Sequence, residues 1–184
     1  MKLDTALRSR RSIRDYQTAD VSDAVIRDVL ELARHAPSSM NGQPCSFIIV
    51  RERTTRERLA DIKDGYCPPE KRGYKADMLR IAPVVIVLCV DHTLSYDRAL
   101  ENGVLAAGHL LLAAQGHGLG SVFMTAYRDD EPRVSQEIRQ LLDIPPSVDP
   151  VALLPLGYPG ERPAEKALRP LEEIVFNERH GKRK

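Results

Sequence analysis

The sequence predicts an α+β domain with three layers, in which helices cover both faces of a central sheet. Residues 84–90 are apolar without interruption, which is typical of a strand buried on both faces. Apolar residues recur with helical spacing before and after this run, and these helices provide the outer layers. The chain has 184 residues and no internal repeat, so we expect one domain that buries roughly 70% of its unfolded surface.

Two predicted helices precede a polar loop. Asp4 is placed to cap a short helix through Leu7. Ser22 is placed to cap a longer helix, and Pro37 ends it because proline cannot continue the hydrogen-bond ladder. The apolar residues of the second helix share one face, at Ile26, Val29, Leu30 and Ala33.

Beyond the polar loop, residues 47–50 predict a buried strand. Thr54 and Glu57 have the spacing of a capping box, which predicts that the next helix begins there. Residues 63–76 show neither helical nor alternating periodicity. We therefore expect a polar lid near the mouth of a ligand site.

The longest predicted helix extends from about residue 97 to residue 115. Leucine, alanine and glycine occupy nearly every face, which predicts almost complete burial. Small residues allow a second helix to approach closely, so this helix is also a candidate for the middle of a subunit interface. His109 lies within it and is expected to be a packed or interface histidine rather than a catalyst.

Gly116, Gly118 and Gly120 form the spacing GxGxG, which resembles a dinucleotide-binding fingerprint. That fingerprint follows a strand and opens a helix, whereas these glycines follow a helix and precede the strand predicted at residues 121–126. We therefore interpret them as a helix end and a turn.

The last third of the chain predicts one more helix and one more strand. Pro132 is placed in the first turn of the helix, and Pro145 with Pro146 ends it. Residues 151–156 predict a buried strand. The tail contains a short apolar patch at 174–176, and residues 177–184 form a basic end that we expect to be disordered.

The composition excludes several classes of function. The 27 basic and 26 acidic residues give a net charge of +1, so no global field would attract nucleic acid or an anionic membrane. The apolar runs are too short for a membrane span and the amino terminus lacks a signal-peptide core, so we expect a cytoplasmic protein. Cys45, Cys67 and Cys89 have no metal-ligand spacing, so no metal is predicted, and Cys89 is expected in the core.

Two polar segments are candidates for a ligand site. The loop at residues 37–44 is rich in hydroxyl and amide groups, which suit a polar planar ligand, although a turn without a ligand has the same composition. Arg8, Arg10, Arg11 and Arg14 surround Ser12. Such a charge cluster is either a solvated face or the set of donors that a phosphate dianion requires.

Three stretches in order resemble the nitroreductase family of flavoproteins. They are Arg-Arg-Ser-Ile-Arg at residues 10–14, Ala-Pro-Ser-Ser-x-Asn-x-Gln-Pro at 36–44 and Leu-Gly-Tyr-Pro at 156–159. The likeness extends from about residue 8 to about residue 176. It implies a nitroreductase-like fold with a mixed central sheet, in a domain-exchanged homodimer that holds FMN at the subunit interface and exchanges its carboxy-terminal segment.

The resemblance assigns a role to each matching residue. Arg10, Ser12 and Arg169 match ligands of the FMN phosphate, with Arg11 and Lys166 as less secure companions. Arg14 matches the cation beside N1 and O2 of the flavin, and the backbone of Leu156 and Gly157 matches the turn facing N5 and O4. The loop that reaches the flavin from the partner subunit is matched by Pro37, Ser38 and Ser39, with Asn41 and Gln43 as further polar contacts.

This sequence departs from the family pattern in two places. Cys45 stands where many members have tryptophan, so the wall beside the flavin is expected to differ. In residues 63–76, the sequence does not identify which residue stands for the asparagine or lysine that members often place against the flavin pyrimidine.

The implied activity is a two-step oxidoreduction that needs no obligatory side-chain acid or base. NADH or NADPH gives hydride to flavin N5, and a small-molecule acceptor then takes the electrons. The acceptor classes are nitroaromatics, quinones and activated alkenes. Alternatives of the same fold are an oxygen-using, flavin-fragmenting enzyme and a reductive dehalogenase, and an alternative of another class is a non-catalytic flavin-binding redox sensor.

Overall fold

A computed structural model describes residues 1–68, 70, 73 and 75–182. The helices in this part of the chain are α1 (Leu3–Ser9), α2 (Asp23–Ala33), α3 (Arg53–Gly65), α4 (Asp77–Ile81), α5 (Ala99–Gly116), α6 (Arg133–Leu141) and α7 (Leu171–Ile174). The strands are β1 (Cys45–Val50), β2 (Val84–Asp91), β3 (Gly120–Ser121), β4 (Met124–Thr125) and β5 (Val148–Gly157).

The strands form one sheet in the order β1-β2-β5-β3, and β4 also pairs with β5. Every named pair is antiparallel. Within the described residues, the parallel pairing that gives the sheet its mixed character is the bridge between Ser12 and Ser121. The predicted α+β class is confirmed.

The central strand β2 is buried from Val84 to Val90, and its alternating side chains serve two cores. Val85 and Val87 pack in one core with residues of α3, α4 and α6. Ile86 and Leu88 pack in the other core with residues of α2 and α5. The three layers predicted from this apolar run are therefore confirmed, because each face of the sheet has its own helical cover.

The cap predicted for α2 is present, and the cap predicted for α1 is wrong. The Ser22 side chain accepts a hydrogen bond from the Val25 N–H at 3.4 Å. Helix α1 begins at Leu3 with Lys2 as the capping residue, so Asp4 lies inside its first turn. A carboxylate there still favours the helix, because it lies near the positive end of the helix dipole.

The capping box predicted at Thr54 and Glu57 is also wrong. Helix α3 begins at Arg53 with Glu52 as its capping residue. The Glu57 carboxylate pairs with Arg53, one turn away on the same face, at 2.7 Å. This pairing replaces the reach back to the helix start that a capping box requires.

The segment predicted as a lid, residues 63–76, begins within α3, which continues to Gly65. Asp64 connects the two ends of the segment, since its Oδ1 accepts from the Ala76 N–H and its Oδ2 pairs with Arg80, both at 2.8 Å. Residues 69, 71, 72 and 74 of the predicted lid, and residues 183 and 184 of the predicted disordered end, lie outside the described residues.

Helix α5 was predicted to be almost fully buried, and in a single chain this is wrong. Gly103, Ala107 and Leu110 are buried against the sheet. Val104 and Leu105, on the opposite face, are 46% and 43% exposed. The helix therefore carries an apolar face that the described residues of one chain leave exposed.

The three glycines of GxGxG end α5 and form the following turn, as predicted. Gly116 is the last residue of the helix, and Gly118 has a φ of 73°, which favours glycine. Gly120 is required for a further reason, because an added Cβ would lie 2.7 Å from Ile13 side-chain atoms. The strand predicted at residues 121–126 is present as two short strands, β3 and β4.

The later elements follow the prediction with small shifts. Pro132 is the capping residue before α6 rather than a residue of its first turn, and the strand predicted at 151–156 lies within the buried part of β5. Residues 162–175 are exposed throughout, and the apolar patch overlaps the end of α7. Among the described helices, none combines the length and apolar character that crossing a bilayer requires.

The contact between Gly103 of α5 and Val151 of β5 predicts a measurable cost for a single methyl group. An alanine Cβ at position 103 would lie 2.8 Å from Val151 Cγ1. Overpacking costs about 1–3 kcal/mol, while alanine gains up to about 1 kcal/mol of helix propensity, so Gly103→Ala should lower the free energy of unfolding by about 1 kcal/mol.

Urea unfolding measures this difference. Gly116→Ala is the matched control, because no atom lies within 4 Å of its added Cβ and the same helix carries it. The packing account is contradicted if both variants unfold at the same urea concentration.

Candidate functional site

Residues 10–14, the arginine segment, follow α1 as extended chain, and their side chains point alternately to two sides. One cavity, the arginine cavity, has a volume of about 430 Å³. Its walls include Arg10, Ser12 and Arg14 on one side and Gly108 of α5 on the other. Arg11 lines a different cavity, on the other side of the segment. Successive residues of an extended chain point to opposite sides, so two of the clustered arginines and the serine face one space.

The polar groups around this cavity are available to a ligand. Within the described part of the chain, the guanidinium groups of Arg10 and Arg14 have no hydrogen bond or ion pair, whereas Arg51 and Arg80 are each held by carboxylates. The Ser121 hydroxyl, beside Ser12, is buried and has no hydrogen-bond partner. This hydroxyl is closed off from solvent and does not line the cavity, so the groups offered to a ligand are the two guanidinium groups and Ser12.

Arg11 does not join this group. Its guanidinium donates to the backbone carbonyl oxygens of Arg8 at 2.7 Å and Arg10 at 3.0 Å. The structure thus directs Arg11 away from the donors with which the resemblance grouped it. The physical reason is the alternation of the segment, which a count of basic residues does not reveal.

The arginine segment lies beside the turn that carries Leu156 and Gly157. The Ile13 N–H donates to the Ser121 carbonyl oxygen at 3.1 Å, and Ser121 in turn lies opposite Leu156 in the sheet. Leu156 is fully buried, so its contribution to this region is the backbone pairing of the sheet. Ser12, Ser121 and Leu156 therefore form one row across the sheet.

Neighbouring side chains leave no room for a side chain at position 157, so glycine is required there. An added Cβ would lie 2.7 Å from Pro83 Cδ and 3.0 Å from Tyr16 Cδ1. The Tyr16 hydroxyl donates to the Ile13 carbonyl oxygen at 2.7 Å, which fixes the ring below the arginine segment. A side chain at position 157 would displace these groups and with them the backbone of the turn.

The loop at residues 37–43 has a strained backbone. Met40, Asn41 and Gln43 have φ values of 49°, 55° and 48°, in the left-handed region that costs non-glycine residues roughly 1 kcal/mol each. The loop is also pressed against its neighbours, because a Cβ on Gly42 would lie 2.1 Å from the Leu94 carbonyl oxygen. Such strain persists only where other contacts impose it, and it occurs often at functional sites.

Asn102 of α5 supplies those contacts. Its Oδ1 accepts from the Ser39 N–H at 2.9 Å and from the Ser39 hydroxyl at 3.3 Å, while its Nδ2 donates to the Ser95 carbonyl oxygen at 3.3 Å. Ser38 braces the loop from within, since its Oγ accepts from the Gln43 N–H at 3.0 Å. Pro37, Asn41 and Gln43 remain exposed.

The loop and the arginine cavity lie at different positions along α5 in one chain. The loop is anchored at Asn102, whereas the cavity is lined by Gly108, Leu111 and Leu112. Six to ten residues of helix separate these points, which is about 9–15 Å. Among the described residues, no hydrogen bond or ion pair joins the loop to the arginine segment of the same chain.

Arg169 and Lys166 also lie apart from the cavity. The Arg169 guanidinium pairs with Glu173 at 3.3 Å, and both side chains are largely exposed. Lys166 is exposed and has no recorded contact within the described residues. A single chain thus brings together Arg10, Ser12, Arg14, Leu156 and Gly157, but not the loop or the tail.

Another cavity, of about 370 Å³, adjoins the arginine cavity, and Phe123 lines both. Lys63 lies in its wall and donates to the Thr125 carbonyl oxygen at 2.7 Å. Burial lowers the pKa of Lys63, and the positive charge of Arg128 in the same wall lowers it further. The beginning of the segment predicted as a lid lines this cavity, so that segment lies beside the cavity of Arg10 and Arg14.

Sequence reasoning missed Asn102, Ser121 and Phe123. Asn102 has one available signal, because an asparagine within an apolar helix needs partners. Ser121 and Phe123 become relevant only through the pairing of β3 and the break before β4, and neither carries a signal in the sequence.

Comparison with known proteins identifies the family. Residues 7–158 match the Nitroreductase family. A putative NADH dehydrogenase/NAD(P)H nitroreductase of Methanothermobacter thermautotrophicus is 37% identical over 165 residues, which cover 89% of this chain and 80% of the relative. The chain belongs to the nitroreductase family.

Solved structures agree with this assignment. A putative NADH dehydrogenase/NAD(P)H nitroreductase from Parabacteroides distasonis has a TM-score of 0.83 and 28% identity, covering 95% of this chain and 97% of that one. An FMN-dependent nitroreductase from Clostridium difficile has a TM-score of 0.78 and 26% identity, covering 89% and 91%. The nitroreductase-like fold expected from the motifs is confirmed.

The residues present fit FMN. Two free guanidinium groups on one cavity wall suit an anionic ligand, and Arg10 with the Ser12 hydroxyl suits its phosphate. The cavity volume lies within the range of about 300–1,000 Å³ that is common for cofactor sites. Arg10, Ser12 and Arg14 are the groups of one chain that line the cavity and would hold it.

The anchoring of the loop predicts a specific role for Asn102. Asn102→Ala leaves the Ser39 N–H without a partner and removes one of the two hydrogen bonds to the Ser95 carbonyl oxygen, which should lower the free energy of unfolding by about 2 kcal/mol. Without its anchor the strained loop should relax, and limited proteolysis should cleave near residue 40 at least severalfold faster. Glu101→Ala, at an exposed position of the same turn, is the control and should change both measurements much less, because it removes only an exposed carboxylate 3.9 Å from Arg98. Equal cleavage rates in both variants would contradict the anchoring role.

Proposed function

We propose that the protein is an NAD(P)H-dependent FMN oxidoreductase of the nitroreductase type. In this proposal it passes electrons by a ping-pong mechanism to a nitroaromatic, a quinone or an activated alkene. The observation that carries the proposal is the placement of Arg10, Ser12 and Arg14 on one cavity wall, with both guanidinium groups free, one strand away from the turn at Leu156 and Gly157.

When bound, FMN supplies the redox chemistry, since its N5 accepts a hydride and the reduced ring returns two electrons. The side chains bind and tune it. Arg10 and Ser12 hold the phosphate in this proposal. Arg14 provides a fixed positive charge where negative charge develops on reduction, and a charge placed in advance costs no reorganisation at that moment.

We further propose that two copies complete each site as a homodimer. The exposed apolar face of α5 and the exposed tail both lack sufficient cover in one chain; Val104, Leu105, Ile174 and Val175 are each between 43% and 51% exposed. Antiparallel pairing of two α5 helices would bring the loop anchored at Asn102 of one copy near the arginine cavity of the other. In this dimer, the loop with Ser38 and Ser39 and the tail with Arg169 lie apart from the arginine cavity of their own chain and would contact the cofactor held by the partner.

The redox-sensor alternative is disfavoured by the state of Cys45. This thiol is half-buried, and burial raises its pKa to about 11, because the charged thiolate loses hydration. Its Sγ lies 3.6 Å from the Asn102 carbonyl oxygen. A thiol that stays protonated near neutral pH is a poor redox sensor, since the thiolate is the reactive form.

Anaerobic flavin spectroscopy tests the proposed function. NADH or NADPH should bleach the flavin absorbance of the protein, and a quinone or nitroaromatic should restore it over repeated cycles with parallel-line steady-state kinetics. Free FMN at the same concentration is the control. If neither nicotinamide bleaches the flavin, the protein is a binder. Stoichiometric loss of FMN in air would instead support the flavin-fragmenting alternative, and halide release from a halophenol would support the dehalogenase.

The alternation of the arginine segment predicts unequal roles for two adjacent residues. Removing a charge-assisted hydrogen bond costs about 1.5–3 kcal/mol, so Arg10→Ala should raise the FMN dissociation constant about 10- to 150-fold. Arg11→Ala should raise it less than about threefold, because the Arg11 guanidinium faces away from the cavity. Fluorescence titration of the apoprotein with FMN measures both constants, and equal losses in the two variants would refute the assignment.

The raised pKa of Cys45 predicts slow alkylation of the native protein. At pH 8, a thiol with a pKa of about 11 is about 0.1% thiolate, against about 10% for the unfolded chain, so iodoacetamide should label residue 45 about 100-fold more slowly before unfolding. The native rate should still rise about tenfold per pH unit between pH 8 and 10, since it follows the thiolate fraction. Mass spectrometry of the labelled peptide gives both rates, and a native rate that levels off near pH 9 would show that burial does not control this thiol.

A further inference from the structure

Glu161 holds the backbone of the arginine segment. Its Oε1 accepts from the Arg14 N–H at 2.5 Å and from the Asp15 N–H at 3.2 Å. Both donors are backbone groups of consecutive residues, and the acceptor is a charged carboxylate on a half-buried side chain. Hydrogen bonds of this kind are about twice as strong as neutral ones, so the contact fixes the chain at the base of the Arg14 side chain.

Backbone pairing extends this contact into a short ladder. The Gly160 N–H donates to the Asp15 carbonyl oxygen at 2.9 Å, and the Gln17 N–H donates to the Tyr158 carbonyl oxygen at 2.9 Å. Tyr16 and Pro159 form an antiparallel bridge between them. Residues 158–161 follow directly after Gly157, so the ladder joins the Arg14 backbone to the Leu156–Gly157 turn.

Glu161 leaves the charge of Arg14 free. No ion pair between the two side chains occurs within the described residues, and the two side chains line different cavities on opposite sides of the segment. A carboxylate that paired with the guanidinium would cancel the field that Arg14 offers a ligand. Glu161 instead binds the N–H groups and so fixes the position of Arg14 without neutralising it.

We infer that Glu161 is a positioning residue, which sets the place of the Arg14 guanidinium relative to the Leu156–Gly157 turn and thereby the redox potential of the bound flavin. This inference rests on the proposed function, because it takes Arg14 as the cation beside the flavin ring. A fixed cation stabilises the reduced, more negative ring more than a mobile one does, since no energy is spent on ordering it.

Two variants at position 161 separate positioning from charge. Glu161→Ala removes the acceptor and the charge, whereas Glu161→Gln removes the charge and keeps an oxygen that can accept from the same N–H groups. Glu165→Ala is the matched control, because it removes a carboxylate from the wall of the same cavity without a recorded contact to Arg14.

The experiment measures two quantities on the FMN-loaded protein, the amide hydrogen exchange of Arg14 and Asp15 and the midpoint potential of the flavin. Glu161→Ala should lose the exchange protection and should bind reduced flavin about tenfold less tightly relative to oxidised flavin, which is a potential about 30 mV more negative. Glu161→Gln should keep the protection, and its potential should equal or exceed that of the wild type. Glu165→Ala should resemble the wild type in both.

Either of two results would overturn the inference. The first is an alanine variant with wild-type protection and potential. The second is an equal shift of the potential in the alanine and glutamine variants, which would show that only the charge of Glu161 acts. A wild-type protein that binds FMN but is not reduced by a nicotinamide would refute the proposed function. The amide exchange and the midpoint potentials of the variants, measured with a chemical reductant, would still decide the role of Glu161.

Discussion

The hydrogen bond from the Ile13 N–H to the Ser121 carbonyl oxygen is the contact on which the site depends. It holds the arginine segment in an extended form at the edge of the sheet, beside β3. The Ile13 side chain then packs onto Gly120, where any Cβ would collide with it. Once Ile13 faces inward, alternation places Ser12 and Arg14 on the cavity side, so one backbone contact decides which charges face the ligand.

Small residues are used for two different purposes in this fold. At positions 103, 120 and 157, a Cβ would collide with Val151, Ile13 or Pro83, and glycine allows the layers and strands to come together. At Gly108, no atom lies within 4 Å of an added Cβ in a single chain. This open glycine lies in the cavity wall beside an exposed apolar helix face, where the proposed second copy and cofactor would lie.

Polar contacts hold the loop and the segments around the site, while the apolar cores hold the layers. Asn102 anchors the strained loop, Asp64 closes the base of the segment between α3 and α4, and Glu161 binds the arginine segment. Each of these side chains accepts hydrogen bonds from backbone N–H groups. Such contacts specify a conformation that apolar packing alone would leave free, because hydrogen bonds are directional and burial is not.

The sequence predicts the layers well because β2 is apolar on both faces, and only a sheet covered on both sides accounts for that pattern. The sequence motifs also single out Gly157 and the arginine cluster, which the structure joins through the pairing of β3 with β5. The sequence does not predict which arginines share a side, because that depends on the pairing of Ile13 with a strand more than 100 residues away. The start of α3 was missed for a local reason, since Arg53 takes the Glu57 carboxylate that the capping box required.

Native mass spectrometry of the FMN-loaded protein over a range of concentrations tests the central claim most directly. That claim is that a site formed by Arg10, Ser12 and Arg14 of one chain is completed by the loop and tail of a second. The account predicts that dimers carry one FMN per subunit and that monomers released on dilution carry none. Monomers that retain FMN would contradict it, because a single chain would then hold the cofactor without the loop at Ser38 and Ser39 of a partner.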